Sequence, residues 1–207
     1  MAHAWHDIEI GEDAPNTFFA VIEVTRGTKT KYELDKKTGL LRVDRILSCS
    51  SVSPANYGFV PQSLALDNDP FDVLVLMQDD VVPMSIIRCI PVGVMLMMDS
   101  GEADHKIICV HADDPEYRHY TDINQLPAHK LQEIRFFFET YKLLEHKWVR
   151  VEGFEGPEKA KSIISESSAR YKEKYCKQIQ ELEQGVSKLW ITPNWIKTKI
   201  FSISTCI

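Results

Sequence analysis

Cysteine spacings typical of disulfide frameworks or metal sites are absent from this 207-residue sequence. The cysteines are odd in number, and no two of them form a Cys-x-x-Cys pair; they are Cys49, Cys89, Cys109, Cys176 and Cys206. This pattern favours a reducing compartment over a disulfide-stabilised secreted protein. The seven histidines are dispersed along the chain, so a zinc site is not indicated either.

The sequence also lacks an excess of positive charge and a long apolar run. Its formal net charge is −6 at pH 7, which argues against broad nucleic-acid binding because such binding usually needs a basic face. No window reaches the ~18–20 apolar residues that a membrane span requires. Residues 1–15 resemble neither a signal peptide nor a transit peptide. We therefore predict a soluble, cytoplasmic protein with no nucleic-acid partner and no membrane span.

The most distinctive stretch is an acidic turn, Asp67–Asp72, followed at once by the apolar run Val73–Met77. In an extended backbone alternate side chains share a face, so Asp67 and Asp69 point the same way. Like charges this close repel one another unless cations or protons neutralise them. Oxygen-only ligands favour hard cations, so the stretch predicts a Mg²⁺ site in which Mn²⁺ is a possible substitute.

Two other interpretations apply to the same stretch. Asp, Asn and Pro are ordinary turn formers, and most such turns before a strand are solvated loops. An EF-hand calcium loop is excluded, because counting from Asp67 the sixth position is Asp72 instead of Gly and the twelfth is Gln78 instead of Glu. The choice between a metal site and a plain turn therefore depends on residues elsewhere in the chain.

Short strand patterns dominate residues 17–110. Strands are predicted at 18–24, at 31–34, at 40–45, directly after Asp72, at 85–98 with a bend at Pro91 and Gly93, and at 106–110. Many short strands at this spacing predict a small closed barrel.

Helical patterns follow the strands. After Pro127, apolar residues recur with a period of 3.6; they are Leu131, Ile134, Phe137, Phe138, Tyr141 and Leu144. Residues 147–151 predict a strand, and residues 157–184 predict a second helix that ends at Gly185. The predicted fold class is α+β, mainly β, with one domain over residues 1–185 and an apolar, basic extension over 186–207.

Several charged or polar residues interrupt or end the predicted strands and helices. They include Glu23, Lys31, Glu33, Arg45, Asp99, Asp104, Lys106, Tyr141 and Lys142. Each one alone is more often a solvated charge or part of an ion pair on a strand face. Taken together, carboxylates at strand ends with Lys, Arg and Tyr donors around them suit a small polyanion, because metals neutralise phosphate oxygens while Arg and Lys bind the others.

The chain resembles the soluble family I inorganic pyrophosphatases of the bacterial- and plant-like branch, from about Trp5 to about residue 175. The acidic turn and the strand after it are similar to the family signature Asp-x-Asp-Pro-x-Asp followed by an apolar strand. Further blocks are similar in order and spacing; they are Lys31–Glu33, Val43–Arg45, Asn56–Phe59, Pro91–Val94, Asp99–Lys106 and Phe137–Lys142. The resemblance implies a small closed, OB-like, five-stranded β-barrel flanked by two longer helices.

The resemblance also implies hydrolysis of pyrophosphate to two orthophosphates by a metal-activated water, with several Mg²⁺ ions in each active site. Asp69 matches the position of the general base, or of the residue that orients the attacking water. The metal ligands that it implies are Asp67, Asp72, Asp99, Asp104, Glu23 and Glu33. The residues that it implies for binding the phosphates are Lys31, Arg45, Tyr57, Lys106, Tyr141 and Lys142. We expect a homo-oligomer, whose number of subunits the sequence does not give.

The chain departs from the family pattern at two places. Ser53 stands where the family usually carries a Tyr that borders the active site, which predicts a looser pocket with lower activity. The extension 186–207 continues past the usual end of family members. It is an added strand, an interface segment or a membrane-surface contact, or it has no function. Two other function classes stay open: a catalytically weakened relative that binds phosphate or metal, and a non-catalytic OB-like binding module.

Overall fold

The computed structural model describes residues 2–176 of the chain, which contain nine strands and two α-helices. In chain order they are β1 (Phe18–Val24), β2 (Thr30–Leu34), β3 (Leu41–Ile46), β4 (Asn56–Val60), β5 (Phe71–Leu76), β6 (Ile86–Asp99), β7 (Glu102–Ala103), β8 (Lys106–His111), α1 (Ala128–Thr140), β9 (Val149–Glu155) and α2 (Pro157–Tyr171).

Five of the strands close into a ring. β1 pairs with β4, β4 with β5, β5 with β8, β8 with β6, and β6 with β1. Ring closure removes the free edges that would otherwise invite pairing with other chains. β7 and β9 extend the sheet from β6, whereas β2 and β3 form a separate two-stranded hairpin. The predicted fold class, mainly β with a small closed five-stranded arrangement and two longer helices, is confirmed.

The ring strands β5 and β8 are buried on both faces, because each of the two helices covers one side. Leu74 and Ile108 pack in a core with residues of α1. Val73 and Ile107 face the other way and pack in a second core with residues of α2. Since successive side chains of a strand point to opposite faces, both faces need apolar residues. This explains why the sequence after the acidic turn is an unbroken apolar run.

β1 and β4 approach each other most closely at Gly58. A Cβ atom on this residue would lie 1.9 Å from the carbonyl oxygen of Val21 and 2.8 Å from the Cα of Ile22. The pairing register shifts directly afterwards, so that Glu23 is the extra residue of an irregularity in β1. Only a residue without a side chain allows this approach.

The structure changes three predictions for the part of the chain after Pro127. The apolar stripe of α1 does not extend to Leu144, which is 67% exposed, because the helix ends at Thr140 and a 3₁₀ turn follows at Leu143–Glu145. The predicted strand at 147–151 begins later, at Val149, and continues to Glu155. The predicted second helix leaves α-helical geometry after Tyr171 and continues as a π-helical turn.

The chain beyond residue 176 carries two further predictions. The helix end at Gly185 and the extension 186–207 lie outside the described residues. Within residues 2–176, no helix has both the length and the apolar character needed to cross a membrane.

Candidate active site

A cavity of about 770 Å³ lies between the ring, the β2–β3 hairpin and the end of α1. Twelve of the thirteen residues that the sequence singled out line it; they are Glu23, Lys31, Glu33, Tyr57, Asp67, Asp69, Asp72, Asp99, Asp104, Lys106, Tyr141 and Lys142. These residues come from seven different elements and their ends, so only the fold brings them together. Ser53 lines the same cavity, with its hydroxyl donating to the carbonyl of Ala55 at 2.8 Å.

The acidic turn holds its own shape through backbone contacts. Asn68 takes a left-handed conformation with φ of 70°, and the backbone N–H of Asp69 donates to the Asp67 carboxylate at 3.0 Å. At the start of β5, the N–H of Phe71 donates to the buried hydroxyl of Ser63 at 2.8 Å. Asp72 is not part of the turn, because it already lies within β5.

Lys106 is the most buried cation of the site, with a side chain only 3% exposed. Its ammonium contacts the carboxylates of both Asp72 and Asp104. Burial by itself lowers the pKa of Lys106, but the charges of Asp72 and Asp104 outweigh burial and raise the pKa above its usual value. Lys106 is therefore a fixed positive charge between two carboxylates.

Two other lysines of the cavity, Lys142 and Lys31, each pair with a carboxylate. Lys142 contacts Asp99, and this contact outweighs the burial of Asp99 and lowers its carboxyl pKa. Lys31 donates to Glu33 at 2.6 Å. Each of these lysines can donate to an anionic oxygen once its carboxylate partner binds a cation instead.

Glu23 differs from the other predicted carboxylates because it is buried, with only 7% exposed. Like Asp67, it has no lysine contact among the described hydrogen bonds and ion pairs. It accepts a hydrogen bond from the backbone N–H of Leu34 at 2.7 Å. Burial and the charge of Asp72 raise the pKa of Glu23 to about 8, although the Leu34 hydrogen bond acts in the opposite direction. A buried acid with a strongly raised pKa inside a polar cavity is typical of a functional site.

Tyr57 and Tyr141 are hydrogen-bond donors at neutral pH. Burial and the charges of Asp72 and Asp104 raise the pKa of Tyr57 well above its usual value. Burial and the charge of Asp99 likewise raise the pKa of Tyr141. Neutral hydroxyl groups of this kind bind an anionic oxygen without adding charge.

Arg45 is the one predicted site residue that does not line the cavity in the described part of the chain. Its guanidinium lies between the carboxylates of Asp44, at 3.5 Å, and Glu145, at 3.4 Å. The sequence indicated no role for Glu145 or for Lys36. The ammonium of Lys36, in the turn between β2 and β3, contacts the carboxylate of Asp69.

The donor chemistry of the cavity fits divalent cations of the Mg²⁺ type. Its potential ligands are carboxylate oxygens, which hard cations prefer, and no His or Cys lines it among the described residues. In residues 2–176 no three His, Cys or carboxylate side chains are grouped as a ready-made metal site. Four of the six predicted ligands contact lysines instead, so cation binding would have to replace these ion pairs; they are Glu33, Asp72, Asp99 and Asp104.

Comparison with known proteins identifies the family. A family model described as inorganic pyrophosphatase matches residues 20–172, which include all thirteen predicted site residues. The chain belongs to the inorganic pyrophosphatase family. It is 59% identical to soluble inorganic pyrophosphatase 2 of Chlamydomonas reinhardtii over 174 residues, which are 84% of this chain and 91% of that protein. It is 58% identical to the soluble inorganic pyrophosphatase of Zea mays over 170 residues, 82% of this chain and 79% of the relative.

Solved structures of the pyrophosphatase family share the fold. The inorganic pyrophosphatase of Thermus thermophilus matches with a TM-score of 0.80 and 39% identity, over 83% of this chain and 99% of that chain. The inorganic pyrophosphatase of Helicobacter pylori matches with a TM-score of 0.76 and 42% identity, over 80% and 98% of the two chains. The resemblance stated from the sequence is confirmed.

Proposed function

We propose that this chain hydrolyses inorganic pyrophosphate to two orthophosphates and needs several Mg²⁺ ions for the reaction, with Mn²⁺ as a substitute. The observation that carries the proposal is the convergence of carboxylates, lysines and tyrosines on one cavity, in a chain of the inorganic pyrophosphatase family. A plain binding module does not need this number of paired charges in one cavity.

The cations would be held by carboxylates of the cavity, which are Asp67, Asp72, Asp99, Asp104, Glu23 and Glu33. When bound, such cations neutralise phosphate oxygens and make an attacking water more acidic. Occupation of the carboxylates by cations would release Lys106 and Lys142 from their ion pairs. The released ammonium groups can then donate to phosphate oxygens, together with the neutral hydroxyls of Tyr57 and Tyr141.

Asp69 is the proposed proton acceptor or orienter for the attacking water. Its side chain is half exposed at the mouth of the cavity, where water has access. Asp67 orders its backbone through the 3.0 Å hydrogen bond, which limits the directions that the Asp69 carboxylate can take. A positioned carboxylate of this kind contributes about 10²–10⁴-fold to a rate through general base catalysis.

The test of the function is phosphate release from pyrophosphate by the purified full chain, first with Mg²⁺ and then with excess chelator. Rapid release that the chelator abolishes and that added Mg²⁺ restores is the expected result. A folded protein that releases no phosphate with Mg²⁺ or Mn²⁺ would refute the proposal. The same result would favour the catalytically weakened relative, for which Ser53 is the first residue to change.

We also propose a cytoplasmic location and a homo-oligomeric state. Cys49, Cys89 and Cys109 are free thiols, as expected for a reducing compartment. Fluorescence microscopy of the tagged protein tests the location, and sedimentation velocity tests the assembly. A secreted protein or a monomer at micromolar concentration would contradict the respective proposal.

A further inference from the structure

One ion pair connects the β2–β3 hairpin to the turn that follows α1. Arg45, near the end of β3, places Nη1 3.4 Å from Oε2 of Glu145. The hairpin belongs to a separate two-stranded sheet, so its position relative to the ring is not fixed by strand pairing. A contact between its last residues and the turn after α1 therefore connects the hairpin to the end of α1.

The backbone of Glu145 is held in a hydrogen-bonded turn directly after the predicted phosphate-binding residues Tyr141 and Lys142. Its backbone N–H donates to the carbonyl of Lys142 at 2.9 Å and closes the 3₁₀ turn Leu143–Glu145. The N–H of Lys147 donates to the same carbonyl at 3.3 Å. Glu145 thus holds Arg45 at the turn that directly follows Tyr141 and Lys142.

The ion pair is incomplete, and its incompleteness points to a ligand. Within the described part of the chain, Arg45 Nε and Glu145 Oε1 are the buried side-chain polar atoms without a hydrogen-bond partner. At 3.4 Å and 3.5 Å, the contacts of Arg45 with Glu145 and Asp44 are long for hydrogen bonds. Buried donors are normally satisfied, and an anionic oxygen would supply the missing acceptor for the guanidinium. Lys106, by contrast, already contacts two carboxylates.

We propose that Glu145 is a positioning residue for substrate and product binding. It holds the Arg45 guanidinium at the turn after Lys142 with a donor left over for a phosphate oxygen, without touching the phosphate itself. This inference rests on the proposed pyrophosphatase function. It assigns to Glu145 a role that acts through Arg45, so its loss affects binding of pyrophosphate and phosphate more than the chemical step.

The experiment compares Glu145→Gln with Glu158→Gln in the full chain. Both substitutions remove one negative charge, but Glu158 is an exposed residue of α2 outside the cavity. We expect Glu145→Gln to raise KM for pyrophosphate about three- to tenfold, the range of a weakened charge-assisted contact, with kcat within about twofold of the parent. Calorimetric titration with inorganic phosphate should show a similar loss of affinity, and this readout does not depend on turnover. Glu158→Gln should change neither quantity.

A double-mutant cycle separates action through Arg45 from other effects. In an Arg45→Gln background, Glu145→Gln should cause no further rise in KM and no further loss of phosphate affinity. Unchanged binding in the single variant, or an equal loss in both backgrounds, overturns the inference. A lower KM overturns it as well, because removal of a nearby negative charge would by itself strengthen anion binding. A parent chain that binds phosphate but does not hydrolyse pyrophosphate refutes the proposed function and leaves the phosphate titration as the test of Glu145.

Discussion

The close approach of β1 and β4 at Gly58 predicts a large effect of a single methyl group. In Gly58→Ala the new Cβ would lie 1.9 Å from the carbonyl oxygen of Val21, whereas ordinary contacts begin at 3.4 Å. The obstructing atom belongs to the backbone, so no side-chain rotation relieves the clash and the two strands must separate. Separation weakens the pairing of Val21 with Phe59 and of Ile22 with Gly58. Two lost hydrogen bonds and the overpacking strain together amount to roughly 3–5 kcal/mol.

The chain offers a matched control for this substitution in Gly153. It lies in strand β9, its φ is not in the left-handed region, and a Cβ there would meet nothing within 4 Å. Gly153→Ala should therefore be neutral or stabilising by up to about 1 kcal/mol. Urea unfolding of both variants measures the difference, and the melting temperature of Gly58→Ala should fall by about 2–4 °C for each kcal/mol lost. Equal unfolding midpoints for the two variants would show that β1 and β4 can move apart freely, and would refute the reasoning.

Three further substitutions test the roles proposed in the cavity. Asp69→Asn should lower kcat by about 10²–10⁴-fold while Mg²⁺ affinity is largely kept. Near-normal turnover would contradict the assignment of Asp69 as the base. The control is Asp113→Asn, because Asp113 belongs to an exposed ion pair outside the cavity. Lys142→Ala should weaken binding of phosphate and pyrophosphate at least tenfold, because a charge-assisted hydrogen bond contributes about 1.5–3 kcal/mol. An unchanged affinity in calorimetry would exclude a contact between Lys142 and the phosphate. Ser53→Tyr should raise turnover by narrowing the cavity, and steady-state kinetics identical to the parent would disprove the looser-pocket hypothesis.

The sequence predicted those parts of the site that follow from local spacing. Lys31 and Glu33 lie two positions apart in β2, so the sequence alone predicts that they share a face of the strand. The acidic turn and β5 follow each other directly in the chain, so their order is also visible in the sequence. The bend of β6 at Pro91 and Gly93 also appears as a register shift at these residues. β4 was not predicted as a strand, because its five residues include Gly58, which is depleted in strands unless another backbone approaches closely.

Contacts between distant segments could not be read from the sequence. Lys36 contacts Asp69 from 33 positions away, and Lys174 donates to Asn68 at 2.7 Å from 106 positions away. Neither lysine stands in a pattern that differs from an ordinary solvated charge. Arg45 was expected among the phosphate-binding residues, but its side chain turns towards Glu145, a residue that no motif singled out. Such pairings depend on how the hairpin and α1 turn are placed by the fold.

The central physical problem of this site is the concentration of negative charge, and the structure reduces it in three different ways. Lysines neutralise the carboxylates inside the cavity, as Lys106 does for Asp72 and Asp104. Burial raises the pKa of Glu23 to about 8, so at neutral pH this carboxyl is mostly protonated and adds little charge. Asp69 is half exposed, so that both solvent and the ammonium of Lys36 screen its charge. In the proposed reaction, divalent cations would replace both the lysine pairing and the protonation of Glu23, since they supply positive charge to the carboxylates. Lys106 and Lys142 would then be released for phosphate oxygens without leaving their carboxylate partners unpaired.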